Sequence, residues 1–197
     1  MRLVIATTNE HKLIEMRQLL KDLPFEVVGQ NEIVDNIDID ENGTTFSENA
    51  RIKATAISAL CSDLVLADDS GLEIDALNKE PGIYSARYLG HDTPYSEKNQ
   101  IILKRLENES NRSARFVCAM SLCLNGEEVY NACETIEGEI AHEVLGTNGF
   151  GYDPIFYYPP MQMGTAEMDM DTKNQVSHRG KAIRKIIAHL REKYVEA

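Results

Sequence analysis

The chain has 197 residues, 43% hydrophobic and 26% charged, with a formal net charge of -12. That composition suits a packed interior, as one large domain or two lobes sharing a core. The acidic excess argues against a nucleic-acid polymer as partner, because no basic stripe offsets repulsion from a phosphate backbone. No apolar run nears the ~20 residues that a membrane span needs. Met1 to Ala6 is too short an apolar stretch for a signal peptide, so a cytoplasmic protein with no membrane partner is expected. Of the four cysteines, Cys118 and Cys123 lie in an apolar, strand-like run, where buried thiols are the simplest reading.

In chain order, Leu3 to Ala6 reads as a short strand. A helix with apolar positions Leu13, Met16, Leu20 and Leu23 follows, with Thr8 or Asn9 as its cap. Phe25 to Val28 reads as a second strand, and an acidic loop from Asp35 to Gly43 leads to Thr45-Phe46-Ser47-Glu48. That spacing is a capping box, opening an alanine-rich helix that runs to about Cys61. Leu64 to Ala67 is a strand ending in Asp68-Asp69-Ser70-Gly71, where Gly71 would let the backbone turn sharply away. Thr93-Pro94 is a cap and first-turn pair for a helix carrying Ile101, Ile102, Leu103 and Leu106.

Ala114 to Leu124 and Glu128 to Ile140 form a long hairpin about Asn125-Gly126. Gly146 to Tyr152 is a glycine-rich loop, and Ile155 to Tyr158 a short aromatic strand. The last helix starts near Gly180, with Ser177 as its cap and a stripe of Ile183, Ile186, Ile187 and Leu190. The pattern is α/β, with the hairpin inserted before the last helix.

Four polar groups could carry chemistry. Thr7-Thr8-Asn9-Glu10-His11-Lys12 joins a strand to a helix, where backbone N–H groups and the helix dipole favour an anion and Lys12 could reach a phosphate. Alone, it is more simply a capped helix with a surface lysine. Two carboxylates, Asp68 and Asp69, sit at the end of an apolar strand, where open α/β sheets place ligands. Alternation along a strand lets only one of them face a given site. Hard oxygens of this kind suit magnesium, with Glu41 as the natural second carboxylate; a turn stabilised by aspartates explains the group as well. Viewed alone, Asp38, Asp40 and Glu41 are a solvated acidic face. Gly149-Phe150-Gly151-Tyr152-Asp153-Pro154 lets a ring and exposed backbone approach a flat ligand, and Ser177-His178-Arg179-Gly180 could donate to a carbonyl-bearing base. Each of the last two, alone, reads as a turn or an exposed polar pair.

Together and in this order, these blocks, with Asp40 to Phe46, Ser47 to Ala50, Lys53-Ala54 and Pro81 to Tyr88, strongly resemble the inosine triphosphate pyrophosphatase family over nearly the whole chain. Asp40 stands where many members carry glutamate, and Thr8 where small residues vary. The resemblance implies one domain over residues 1–197, with a mixed twisted sheet, flanking helices and two lobes around a central nucleotide-binding cleft. It also implies hydrolysis of ITP, dITP or XTP between the α- and β-phosphates, by a Mg2+-dependent homodimer. Thr7, Thr8, Asn9, Glu10, His11 and Lys12 would hold the phosphates. Glu41 and Asp69 would bind magnesium, and Asp69 would act on the attacking water. Ser70, Phe150, Gly151, Tyr152, Asp153, Lys173, His178 and Arg179 would enclose base and sugar, with Lys53 and Arg87 as further phosphate candidates. The rival expectations are a pyrophosphatase for pyrimidine or methylated nucleotides and a nucleotide sensor without catalysis.

Overall fold

The computed structural model describes residues 1–34, 37 and 39–196; Asp35 and Asp38 of the expected acidic loop lie outside them. The strands are β1 (Arg2–Ile5), β2 (Glu26–Gly29), β3 (Leu64–Ile74), β4 (Ser113–Leu124), β5 (Glu127–Ile140), β6 (Phe156–Tyr158) and β7 (Met163–Gly164). The α-helices are α1 (Glu10–Leu20), α2 (Phe46–Ser58), α3 (Tyr95–Arg105), α4 (Met170–Val176) and α5 (His178–Leu190). The hydrogen-bonded order of the sheet is β2-β1-β3-β4-β5-β6-β7. It is mixed: β1 pairs in parallel with β2 and β3, whereas β6 pairs antiparallel with β5 and β7.

The chain forms two compact units. Met1–Asp69, Cys118–Glu134 and Arg179–Ala197 make the first; Ser70–Val117 and Thr135–His178 make the second. In the first unit, alternation along β1 sends Leu3 and Ile5 to one face, where they join Met16 and Leu20 of α1 and Ala182, Ile183, Ile186 and Leu190 of α5. Val4 and Ala6 go to the other face, with Ala54 and Ile57 of α2. Both faces of these strands are therefore covered, the usual arrangement for parallel pairing. Cys118 and Cys123 are buried, as expected. The core of the second unit joins Leu72, Ile74, Ile102, Phe116, Ile136, Ile140, Ile155 and Phe156.

The caps show why the elements begin where they do. Asn9 Oδ1 accepts from Lys12 N at 3.2 Å at the start of α1. At α2, Thr45 Oγ1 accepts from Glu48 N at 3.1 Å while Glu48 Oε2 accepts from Thr45 N at 3.2 Å, the reciprocal capping box. Asn125 (φ 53°) and Gly126 (φ 80°) make the two-residue turn of the β4–β5 hairpin.

Three expectations are corrected. The strand at Leu64 does not end at Ala67: β3 runs on to Ile74, because Leu72 and Ile74 continue into the second unit's core. Gly71 lies within that strand and is not among the glycines with positive φ. Thr93 does not cap α3; its hydroxyl donates to the Leu89 carbonyl at 2.7 Å, and Pro94 takes the cap position. The last helix, expected from about Gly180 behind Ser177, begins at His178, directly after Ser177, in agreement with that reading, so His178 and Arg179 belong to its first turn. Helix α4 and strand β7 are additional to the elements read from the sequence.

Candidate active site

In the first unit, Thr8 and Asn9 before α1 and Glu10 and His11 in its first turn are exposed, with Thr7 partly covered and its Oγ1 accepting from Asn9 N at 3.2 Å. Lys12 turns inward instead, and its Nζ lies 3.0 Å from Asp68 Oδ2. The same oxygen is 3.3 Å from Arg179 Nη2, and Arg179 Nη1 lies 2.6 Å from Glu15 Oε2. Lys12 and Glu15 share a helix face at i, i+3, so α1 brings a cation and an anion to the same buried group. Arg179 is 3% exposed; burial would pull its pKa down, but Asp68 and Glu15 hold it above the ordinary range.

Alternation along β3 turns Asp69 to different partners from those of Asp68. Asp69 Oδ2 accepts from Asn49 Nδ2 at 3.1 Å. Asn49 is fixed from its other side, where its Oδ1 accepts from Gly43 N at 2.8 Å. A Cβ on Gly43 would lie 2.6 Å from that oxygen, so the close approach requires glycine. One turn along α2 from Asn49, Lys53 Nζ lies 2.8 Å from Glu41 Oε2. Burial pushes the Asp69 carboxyl up, against the opposing pull of Lys53, Lys12 and the Asn49 hydrogen bond, and Glu41 adds to the rise. Lys53, which burial alone would pull down, is held up by Asp68, Asp69 and Glu41.

Glu41 and Asp69 thus feel one another's charge, and they are the residues here that could hold a hard divalent cation. Among the described residues no three His, Cys, Asp or Glu side chains form a complete cage. Two carboxylates suit an ion that keeps some of its water and takes other ligands from a phosphate.

The second unit gathers the aromatic loop. Phe150 N donates to Asp153 Oδ2 at 2.9 Å, and Lys173 Nζ donates to the same oxygen at 2.7 Å while lying 4.9 Å from the Phe150 ring centroid. Asp153 therefore orients Phe150 and Lys173 together. Gly149 has φ +73°, and a Cβ there would stand 2.3 Å from Asp153 Oδ2. Tyr152 is buried, its hydroxyl donating to the Ser85 carbonyl at 2.7 Å. His178 is buried too and stacks on Phe116, ring centroids 4.9 Å apart. Ser70 and Gly151 are partly covered. Arg87 is exposed, its guanidinium 5.1 Å from the centre of the Tyr84 ring.

Read as sequence, His178-Arg179 looks exposed; folded, both are buried and they part company, His178 against Phe116 and Arg179 with Glu15 and Asp68. Glu15 and Asn49 were not among the residues singled out. Their signal is helical spacing: Glu15 falls three residues after Lys12, and Asn49 four before Lys53.

A family model described as the Ham1 family matches residues 3–189. The chain belongs to the Ham1 family. A relative from Exiguobacterium sp., named dITP/XTP pyrophosphatase, is 46% identical over 190 residues, covering 96% of this chain and 97% of its own. Another of that name, from Coxiella burnetii, is 44% identical over 99% of both chains. Among solved structures, a HAM1 protein from Coxiella burnetii superposes with a TM-score of 0.89 at 44% identity, covering 98% of this chain and 99% of that one. The Staphylococcus aureus Ham1 protein gives the same TM-score at 40% identity, over 98% of this chain and all of the other. For this Ham1-family chain the expected mixed α/β fold is therefore confirmed. No helix among the described residues is long and apolar enough to cross a membrane.

Proposed function

We propose that this chain hydrolyses noncanonical purine nucleoside triphosphates, dITP, XTP and ITP, to the monophosphate and pyrophosphate. The observation that carries this reading is the full-length likeness to relatives named dITP/XTP pyrophosphatase; the geometry adds groups able to do the chemistry. Glu41 and Asp69 would hold Mg2+, which when bound neutralises phosphate charge and polarises the bond to the leaving group. Thr7 to Lys12 bind the phosphates, the α1 dipole and the Lys12 ammonium offsetting charge that an acidic protein would otherwise repel. Lys53 adds a second ammonium beside the carboxylates.

Asp69 takes the proton of the attacking water. The water oxygen bonds to phosphorus, the phosphoanhydride bond breaks, and pyrophosphate leaves with the bonding electrons. Asn49 keeps one carboxylate oxygen oriented for this step. The base and sugar fall to Ser70, Phe150 to Asp153, Lys173, His178 and Arg179. Their donors satisfy a 6-oxo acceptor, whereas the 6-amino group of ATP sets donor against donor and leaves groups unpaired. The working form is a cytoplasmic homodimer.

Pyrophosphate release from ITP, XTP, dITP and ATP, with and without magnesium, tests the reading. Rapid magnesium-dependent release from the first three and little from ATP is expected. A folded sample inactive on all three would overturn it.

A further inference from the structure

Helix α3 carries two buried polar side chains that the chemistry above does not use. Lys98 is 1% exposed and Asn99 3%, while Glu97 and Gln100 on either side are exposed. Burying an ammonium or an amide is costly unless it makes a defined contact. Both contacts here go to backbone carbonyls. Lys98 Nζ donates to the Ala86 carbonyl at 2.8 Å and lies 4.9 Å from the centroid of the Tyr95 ring. Asn99 Nδ2 donates to the Gly151 carbonyl at 3.1 Å.

The two carbonyls belong to neighbouring segments of the second unit. Ser85, next to Ala86, offers its own carbonyl to the Tyr152 hydroxyl, and Tyr95 meets Tyr152 edge-on with ring centroids 5.1 Å apart. One turn of α3 therefore grips the Ser85-Ala86 segment and the Gly151-Tyr152 segment at once. Gly151 has φ +65° and no side chain, so its own packing does little to orient the peptide that follows. The hydrogen bond from Asn99 supplies that orientation, and the Oδ1 of Asn99 is buried with no hydrogen-bond partner among the described residues. A side chain that leaves one polar atom unsatisfied while directing the other at a single carbonyl is placed for that carbonyl.

We propose that Asn99, backed by Lys98, is a positioning residue for nucleoside binding: it fixes the Gly151-Tyr152 peptide and with it the loop Phe150 to Asp153. This rests on the reading that the loop encloses base and sugar. Asn99→Ala removes the donor, and Asn99→Asp sets a carboxylate against the carbonyl. Lys98→Met keeps the length of the neighbouring side chain but drops the contact with Ala86.

The test measures steady-state XTP hydrolysis in magnesium buffer, together with calorimetric Kd values for two products separately, XMP and pyrophosphate. For Asn99→Ala, KM for XTP and Kd for XMP should each rise about tenfold, the scale of one lost hydrogen bond. Its kcat should stay within about twofold and its pyrophosphate Kd should be unchanged. Lys98→Met should give a smaller shift of the same kind. If Asn99→Asp fails to fold, Asn99→Ala carries the test, its fold checked by thermal unfolding. A folded Asn99→Ala with wild-type XMP affinity would overturn the proposal alone, as would equal losses for XMP and pyrophosphate. A wild-type protein that neither binds XMP nor cleaves XTP, ITP or dITP would overturn the underlying reading and this proposal with it.

Discussion

Asp69 stands where burial and charge oppose each other. Its carboxyl is raised by desolvation and lowered by Lys53, Lys12 and Asn49, and neutralising it relieves a cost that folding imposes. With that cost removed, Asp69→Asn should keep its thermal unfolding midpoint at or above wild type, and kcat should fall by roughly 100-fold or more, the usual weight of the general base we propose it to be. Retained turnover in a folded variant would remove Asp69 from the mechanism. At this scale the sequence offers the polar side chains as candidates, but it does not show how they pair in the fold. Asp68 and Asp69 are adjacent and chemically identical, and only the folded chain assigns one to Lys12 and Arg179 and the other to Asn49. The partners Glu15 and Arg179 are 164 residues apart, a separation that no local pattern spans.

Elements were most legible where a local signal coincides with a buried stripe. The capping box at Thr45 marks the start of α2 because both halves of it lie within four residues. Since α2 presents Asn49 and Lys53, its first turn supports the carboxylate cluster as well as the fold. Thr45→Ala should cost about 1 kcal/mol of stability, measured by denaturant unfolding with an unchanged m-value.

Elements whose limits depend on distant packing were less legible. The polar run Asp68 to Ser70 interrupts an apolar pattern, yet β3 continues through it because Leu72 and Ile74 fill a second core. Strand β7 has two residues and α4 seven, too short for periodicity to register. Arg112 belongs to the same group. Its Nε, Nη1 and Nη2 donate to the carbonyls of Ile140, Leu106 and Ala141 at 2.7, 2.6 and 2.6 Å, tying the end of β5 to the residues after α3. Arg112→Met would leave three buried acceptors without that donor, and a loss of about 3 kcal/mol is expected on chemical denaturation. A loss below about 1 kcal/mol would mean that the carbonyls find other partners.

At the scale of the whole molecule, the acidic surplus makes stability in acid a question of which carboxylates are held ionised. Asp75, hydrogen-bonded by Arg115 and Lys79, is lowered from 3.8 to about 2. A carboxyl depressed by folding contributes stability that is complete above its ordinary range and is lost as pH falls through its folded value. Asp75→Asn should thus flatten the dependence of stability on pH between about 4 and 2, read from denaturation midpoints across that range, and leave the slope above pH 5 unchanged. An unaltered slope below pH 4 would show that the Arg115 contacts do not survive in solution.

The first unit is assembled from three separate stretches of chain, and its core needs Ala182, Ile183, Ile186 and Leu190 of the last helix. During synthesis, β1 and α1 leave the ribosome roughly 160 residues before α5 does. At about 5–20 residues per second this is a delay of roughly 10–30 s, in which Leu3, Ile5, Met16 and Leu20 lack part of their cover. A nascent chain stalled before residue 178 should bind holdase chaperones and be cut readily by protease within residues 1–30. Release of the full chain should end both at once.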